Sequence, residues 1–412
     1  MRDDAPVVIT GTGAVSALGW GVDELMDGAL AGRTGIRPCG HLLAAEGFPG
    51  SAADPPSRWP AGTVPEEAGN ALRGSRSTRY ALAATEEALR AARLLDGAGG
   101  AAAPDRDRVG VVAGSAAPSA DLYFALGQHV MTNGLGAVDG RVAPNLSAHA
   151  PAAAIALTHG FRGPNLAVSA ACATGTLVLL SARDQILAGR ADVVVVVAAE
   201  SAVTAIGLES FASAKALGAA CRPFDSARDG LVFGEGAAAL VVERASHAAA
   251  RGVEPLATVL GGALTNDASH MWRPDAGSWA RTMRLALADA DVDGADIGYV
   301  CAHAPGTKAG DAAEVAAIRQ TLGSRADEVP VWSTKGMHGH AFGASGGLET
   351  IIAIHALRAG RVPQTVGLTT PAADCDLDHV ADPDRPGAPG LLLKDSFGFG
   401  GTNCVLVLDV HG

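Results

Sequence analysis

Buried-strand and helical patterns alternate along 412 residues, which predicts an α/β protein with mainly parallel sheets, built as two similar halves. Three observations carry this expectation. Continuous apolar runs, best seen in Ala191-Asp-Val-Val-Val-Val-Val-Ala-Ala-Glu200, have the character of strands covered on both faces. Stretches of helical periodicity, such as Tyr80 to Leu94 and Thr174 to Gly189, stand between such runs. Strand and helix content is similar on either side of a midpoint, dividing the chain into 1–243 and 244–412, although no residue-level repeat is visible. Apolar residues make up 48% and aromatics only 4%, so the core is built from Ala, Val and Leu with many glycines.

The elements follow in order. Val7 to Thr10 is a buried strand running into Gly11-Thr-Gly-Ala-Val-Ser16, a loop that lacks the third glycine of a dinucleotide-binding fingerprint. Val22 to Ala31 is helical, and Cys39 to Gly69, rich in Pro, Gly and Ala, is a surface excursion. Arg73, Arg76 and Arg79 lead into the helix Tyr80 to Leu94. Arg108 to Ala113 is a strand ending at Gly114, and Ser147 to Thr158 an Ala-rich helix. Gly163 to Ser169 turns into a short strand, followed by Ala170-Ala-Cys-Ala-Thr-Gly175 and the helix to Gly189. Beyond the strand Ala191 to Glu200, the polar loop Cys221 to Gly230 precedes another strand, Gly236 to Glu243. The second half reads as helix Ser246–Arg251, strand Leu256–Leu264, helix Ser278–Ala290 and strand Ile297–His303. Helix Ala312–Leu322, strand Val329–Ser333, helix Gly346–Ala359 and strands Gly390–Leu393 and Val405–Val410 complete it.

Bulk chemistry excludes several roles. The net charge of −12 with no long basic run argues against nucleic acid or an anionic membrane as partner. Six scattered cysteines without a C-x-x-C pair suggest neither zinc site nor disulfide framework, hence a reducing cytoplasmic setting. The N-terminus lacks an apolar signal core, and no apolar run approaches a membrane span.

Cys172 sits on a strand-to-helix turn. A thiol there lies at the positive end of a helix, which lowers its pKa and offers backbone N–H groups to a developing oxyanion. A small buried core residue is the alternative, and local context leaves both open. Three glycine-containing polar motifs end strands of the second half: Ala302 to Asp311 with His303, Ser333 to Gly343 with Lys335, His338 and His340, and Ser396 to Asn403. Strand ends are where open α/β sheets bind ligands, and one cysteine with two histidines could supply nucleophile, base and carbonyl polariser. Taken singly, His303, His338 and His340 each read as satisfied structural histidines before catalytic ones. His338-Gly-His340 lacks a nearby third ligand, so no metal site is expected.

Taken together and in this order, these motifs resemble the β-ketoacyl synthases. Val8-Ile-Thr-Gly-Thr-Gly13, Arg222 to Gly236 and Pro363-Gln-Thr extend the resemblance over nearly the whole chain, and the ordered set is specific to the discrete (type II) elongating enzymes of fatty-acid and polyketide synthesis. It implies a thiolase-like αβαβα fold of five layers with two pseudo-duplicated halves, and a homodimer or a heterodimer with a related subunit. It further implies an acyl group held on Cys172 and a malonyl group brought by acyl carrier protein. His303 and His340 would hold the malonyl thioester oxygen during decarboxylation, and the resulting carbanion would attack the Cys172 thioester in a Claisen condensation.

The backbone N–H groups of Cys172 and Phe399 would form the oxyanion hole, with Phe399 the gate to an acyl tunnel. Lys335 resembles the lysine behind the histidines, with Glu349 as its charge partner. Thr307 is similar to one of two threonines that bind the phosphopantetheine arm, which arrives on the carrier and is not a resident cofactor. Pro305 stands where the other threonine is usual. Phe397 belongs to the substrate-binding loop. Ala117 falls where a bulkier residue often closes the acyl tunnel, implying a longer or bulkier acyl group. Arg73, Arg76 and Arg79 could dock the acidic carrier. Cys301 and Asp395 replace commoner asparagines, so a structural cation in that region is not assumed. Alternative readings are a ketosynthase-like acyltransferase or cyclase, favoured by Pro305, and a chain-length-determining partner subunit, which Cys172 opposes. A thiolase is disfavoured because Cys404 lies after Gly400-Gly-Thr-Asn403.

Overall fold

A computed structural model describes residues 6–39, 59–65, 74–95 and 104–412. The first half comprises β1 (Val7–Ser16), β2 (Gly19–Trp20), α1 (Val22–Leu30), β3 (Ile36–Pro38), β4 (Pro60–Gly62), α2 (Arg76–Ala91), β5 (Val109–Gly114) and α3 (Ala120–Asn133). It continues through α4 (Ala150–His159), β6 (Asn165–Val168), α5 (Thr174–Leu187), β7 (Val193–Glu200), α6 (Ala205–Ser213), β8 (Phe233–Gly234) and β9 (Gly236–Arg244). The second half follows with α7 (Ala245–Ala250), β10 (Ala257–Asn266), α8 (Ala276–Ala290), β11 (Tyr299–Cys301), α9 (Lys308–Leu322) and β12 (Val331–Trp332). It ends with α10 (Lys335–His338), α11 (Ser345–Arg358), β13 (Leu391–Gly398) and β14 (Thr402–Val410).

The duplication invisible in the residues is plain in the topology. Strand order runs β1-β9-β7-β5-β6 in the first half and β10-β14-β13-β11-β12 in the second. The two runs share the same sequence of directions, antiparallel twice and then parallel twice. They meet where Val8 and Ile9 pair with Thr258 and Ala257. The expectation of mainly parallel sheets is therefore corrected: antiparallel and parallel pairings are mixed. A run of apolar residues reports burial on both faces but carries no information on direction, and β7 is parallel to β5 on one side and antiparallel to β9 on the other.

Alternation along the strands builds the layers, because successive side chains point to opposite faces. Val193, Val195 and Val197 pack outward with Tyr80, Ala84 and Ala88 of α2 and Ile155 of α4. Val194, Val196 and Ala198 pack inward with Leu179 and Ile186 of α5 and Leu348 and Ile352 of α11. In the second sheet Leu406 and Leu408 face that same central layer, while Val405 and Val407 face Met283 of α8 and Ile318 of α9. Helix, sheet, paired central helices, sheet and helix give the thiolase-like five-layered arrangement. Among the described residues no helix is long and apolar enough to cross a membrane.

The early glycine motif is not a loop. Gly11 and Gly13 lie inside β1, where an added Cβ would stand 2.3 Å from the Ala88 carbonyl oxygen and 2.0 Å from that of Ala84. The glycines let α2 lie directly on the strand. Gly13→Ala is expected to lower the thermal midpoint by an amount equivalent to about 3 kcal/mol, the upper end of overpacking costs. Gly74→Ala, whose Cβ meets nothing within 4 Å, leaves the midpoint unchanged in the same melting experiment.

Candidate active site

Cys172 lies between β6 and α5 on a turn closed by Thr174. The Thr174 hydroxyl accepts from the Ala170 N–H at 2.8 Å and donates to the Ala171 carbonyl at 2.7 Å. Ala171 holds φ at 47°, an uncommon conformation for a residue with a Cβ. The turn is pressed from outside by Gly398, whose Cβ, were it present, would come within 2.9 Å of the Ala170 oxygen. Cys172 is 5% exposed. Burial pushes its thiol up to about 12, against the pull of the Lys335 charge and of the Phe399 and Cys172 backbone N–H groups. The expected lowering by the helix terminus is thus corrected, since loss of solvation outweighs it. The backbone N–H groups of Phe399 and Cys172 both favour negative charge on the sulfur.

His303 and His340 come from the ends of β11 and β12. His303 follows two residues after β11, and its N–H and that of Ala304 donate to Glu314 of α9 at 2.6 and 2.7 Å. His340 follows Gly339, whose φ of 75° turns the chain after α10. Its Nδ1 meets the Ser345 hydroxyl at 3.0 Å, leaving Nε2 for a ligand. The two rings stand 5.3 Å apart at 81°. Both imidazoles are held well below 6.5, by burial first, then by Lys335, and with a further contribution from Lys394. His338 has a different place: fully buried, it meets Thr334 Oγ1 at 2.9 Å and lines neither cavity described below.

Behind the histidines lies a buried cluster of charge. Lys335 Nζ donates to the His303 carbonyl and to Glu349 Oε1, while Lys394 Nζ lies 2.8 Å from Glu349 Oε2. All three side chains are fully buried. Burial would raise the Glu349 carboxyl, but the two lysines hold it below its usual value. Lys394 was not singled out by the sequence; its one signal is a lysine ending the apolar run Leu391-Leu-Leu.

Two cavities meet at the thiol. One, of about 360 Å³, is lined by Cys172, His303, His340, Pro305, Thr307 and Phe397. Its rim carries exposed Lys215, Arg273 and Lys308. The other, of about 480 Å³, is walled on one side by Ala116, Ala117 and Ala120. Five of the chain's nine phenylalanines, 124, 211, 233, 342 and 399, line it as well. Phe399 borders both, on the β13–β14 turn made by Gly400 and Gly401, with its ring 4.7 Å from Trp272 and 6.0 Å from Phe211. Phe397 stacks on Trp279 at 4.0 Å. Glu200, at the end of β7, ties the alanine wall to the second half by accepting from the N–H groups of Ala116 at 2.9 Å and Gly343 at 3.2 Å.

The arginine patch is not supported as read. Arg73 lies outside the described residues. Arg76 turns inward, donating to Glu235 at 2.8 Å and to the Val203 carbonyl, and its guanidinium is engaged in that pair. Arg79 remains exposed on α2. Among the described residues no group of His, Cys, Asp and Glu is arranged to hold a metal ion.

The depressed histidine values yield a direct measurement. Both imidazoles are expected to stay neutral as pH falls from about 8 through 6.5, and to protonate only at more acid pH. Replacing Lys335 with Met removes a nearby positive charge and moves both titrations upward, which NMR of labelled histidine reads.

Comparison with known proteins agrees with this arrangement. The model for the beta-ketoacyl synthase N-terminal domain matches residues 4–248, and that for the C-terminal domain matches 256–369. The chloroplastic 3-oxoacyl-[acyl-carrier-protein] synthase I of Hordeum vulgare is 35% identical over 411 residues, covering 97% of this chain and 88% of its own length. Among solved structures, the ishigamide ketosynthase/chain length factor superposes with a TM-score of 0.87 at 31% identity, covering 99% of this chain and 100% of that one. A type II PKS acyl-carrier protein in complex with its ketosynthase bound to the hexaketide gives a TM-score of 0.86 at 26% identity, with the same coverage. A thiol and two neutral imidazoles set on a duplicated five-layered fold, with relatedness over nearly the whole length, establish that the chain belongs to the β-ketoacyl synthase family.

Proposed function

We propose that this β-ketoacyl synthase joins an acyl group carried on Cys172 to a malonyl group delivered by acyl carrier protein. The observation that carries the reading is one thiol at the junction of two cavities, facing two histidines that burial keeps neutral. In the first step the Cys172 sulfur attacks the incoming thioester, the carrier thiol leaves with a proton, and the acyl chain enters the 480 Å³ cavity. The thiol of a group raised to about 12 gives up its proton only to a base, and unprotonated imidazoles line the same cavity.

In the second step the malonyl C–CO2 bond breaks and its electron pair forms an enolate. Neutral imidazole N–H groups of His303 and His340 stabilise the enolate oxygen. The carbanion attacks the Cys172 thioester carbonyl, and the resulting oxyanion meets the N–H groups of Cys172 and Phe399. Collapse breaks the C–S bond, returning the cysteine and leaving a β-ketoacyl chain on the carrier.

The remaining roles follow from position. Thr307 offers a hydroxyl to the phosphopantetheine arm, a part of the substrate and not a resident cofactor. Pro305 keeps a carbonyl but has no N–H to give it. Lys215, Arg273 and Lys308 ring the mouth on a protein of net charge −12, and suit an acidic carrier better than the arginines of α2. The acyl group is long or bulky, since alanines wall its cavity. Dimerisation uses the face where terminal strand β6 has a free edge and Tyr123, Met131, Leu135 and Leu157 are exposed. A second copy or a related subunit would close the acyl cavity there.

Three experiments test this. Intact-mass analysis is expected to find the acyl adduct on the wild-type enzyme and none on Cys172→Ala. His303→Ala and His340→Ala should still acylate but lose condensation about a hundredfold or more; failure of Cys172 to acylate would overturn the assignment. Ala117→Phe is expected to lower turnover of the longest acyl donors about tenfold while sparing the shortest. Arg273→Glu with Lys308→Glu should raise KM for carrier-bound malonyl substrate and leave a free pantetheine thioester unaffected. Equal effects on both substrates would remove the docking role.

A further inference from the structure

We infer that Lys394 is a positioning residue whose ammonium, held in a shell of oxygens, keeps Glu349 seated against Lys335 and thereby fixes the backbone of His303. The inference rests on the Claisen reading above for its consequence, but its geometry stands independently. Lys394 is fully buried within β13, a position where an unpaired ammonium is not tolerated. Its Nζ donates to the Asp395 carbonyl, lies 3.2 Å from the Ser396 hydroxyl and 2.8 Å from Glu349 Oε2.

From there a continuous set of contacts runs to the site. Glu349 Oε1 accepts from Lys335, Lys335 donates to the His303 carbonyl, and the His303 N–H is held by Glu314 at 2.6 Å. The strand register agrees: Lys394 pairs with Cys301 on β11, two residues before His303. A merely structural ion pair would have no reason to end on a histidine of the cavity. The charge also reaches the site, since Lys394 contributes to lowering both imidazoles.

A second observation concerns the shell. Both side-chain oxygens of Asp395 are buried without a partner. They do not reach the ammonium, whose oxygen ligands are Glu349 Oε2, the Asp395 carbonyl and the Ser396 hydroxyl, a set suited to a monovalent cation. Shortening the lysine should therefore leave a place that sodium or potassium can enter.

The test uses the purified full-length enzyme and three variants. Lys394→Met is expected to lower kcat for condensation about tenfold, the usual scale for an outer-shell partner, with KM and Cys172 acylation unchanged. Its His303 and His340 titrations should move upward. Lys394→Ser should regain activity severalfold on adding sodium or potassium at constant ionic strength made up with tetramethylammonium, whereas the wild type does not respond. Lys394→Arg should retain most of the rate. Condensation by Lys394→Met at the wild-type rate would overturn the inference. So would parallel loss of acylation, condensation and thermal midpoint, the signature of a purely structural pair, or indifference of Lys394→Ser to both cations. If Lys394→Met does not fold, the cation response of Lys394→Ser decides. The histidine titrations do not require turnover: a wild type that makes no β-ketoacyl product, with titrations still displaced in the variant, would refute the reaction and leave the positioning role standing.

Discussion

The chemistry depends on how closely α5 and α11 approach in the central layer. Cys172 belongs to the first half and both histidines to the second, so neither half holds a complete site. Contact is made through glycines. A Cβ on Gly175 would stand 2.7 Å from the Gly343 oxygen and 2.8 Å from the Gly347 nitrogen, and one on Gly346 would meet Thr176 Oγ1 at 2.5 Å. Thr176 in turn reaches the Ser396 hydroxyl at 2.7 Å, tying the cysteine helix to the strand that carries Phe399. Side chains at these positions would drive the helices apart, and with them the thiol from the imidazoles. Interiors packed this densely transmit such displacements.

Burial at that contact then decides protonation. The thiol is pushed up and the imidazoles down because a charge on either would be poorly solvated. Lys335 and Lys394 share one carboxylate, Glu349, so that trio carries one excess positive charge. Asp395 offsets little of it, for burial first and Glu314 second keep its carboxyl well above the usual range. The surplus has the sign the reaction needs. It discourages imidazolium, and it favours negative charge as it forms on a thiolate or an enolate, where low local dielectric strengthens the effect.

Legibility from sequence divides along the same physical line. Cys172, His303, His340 and Phe399 could be read because each sits in a polar or glycine-rich motif at the end of an apolar strand, and strand ends converge in α/β folds. Arg76 was misread because charge in a helix start looks solvated until the fold supplies Glu235, 159 residues away, as its partner. Lys394 went unnoticed for the converse reason: a lysine inside a strand reads as an edge or an exposed face, and only tertiary packing shows it fully buried. Strand direction was lost because burial on both faces looks the same in a parallel or antiparallel neighbour. Helix α3 was missed, its weak periodicity leaving Tyr123 and Met131 exposed where an apolar face would ordinarily be covered.

Duplication also explains how the work is divided. Equivalent strands of the two halves end at the same level but deliver different groups. In the first half β5 leads to the alanine wall, β7 to Glu200 that secures it, and β6 to Cys172. In the second, β11 leads to His303, β12 to His340 and β13 to Phe399. The first half supplies the thiol and the alanine wall, while the second supplies both imidazoles and, through Phe342 and Phe399, part of the lining of the 480 Å³ cavity. Ala116 and Ala117 are joined to the opposite half through Glu200, which also accepts from the Gly343 N–H, and Gly343 itself packs directly on Ala116. Glu200 is raised to about 7 by burial despite its N–H and hydroxyl donors, and a carboxyl protonated there gives up part of the acceptor strength that joins acyl cavity to catalytic half.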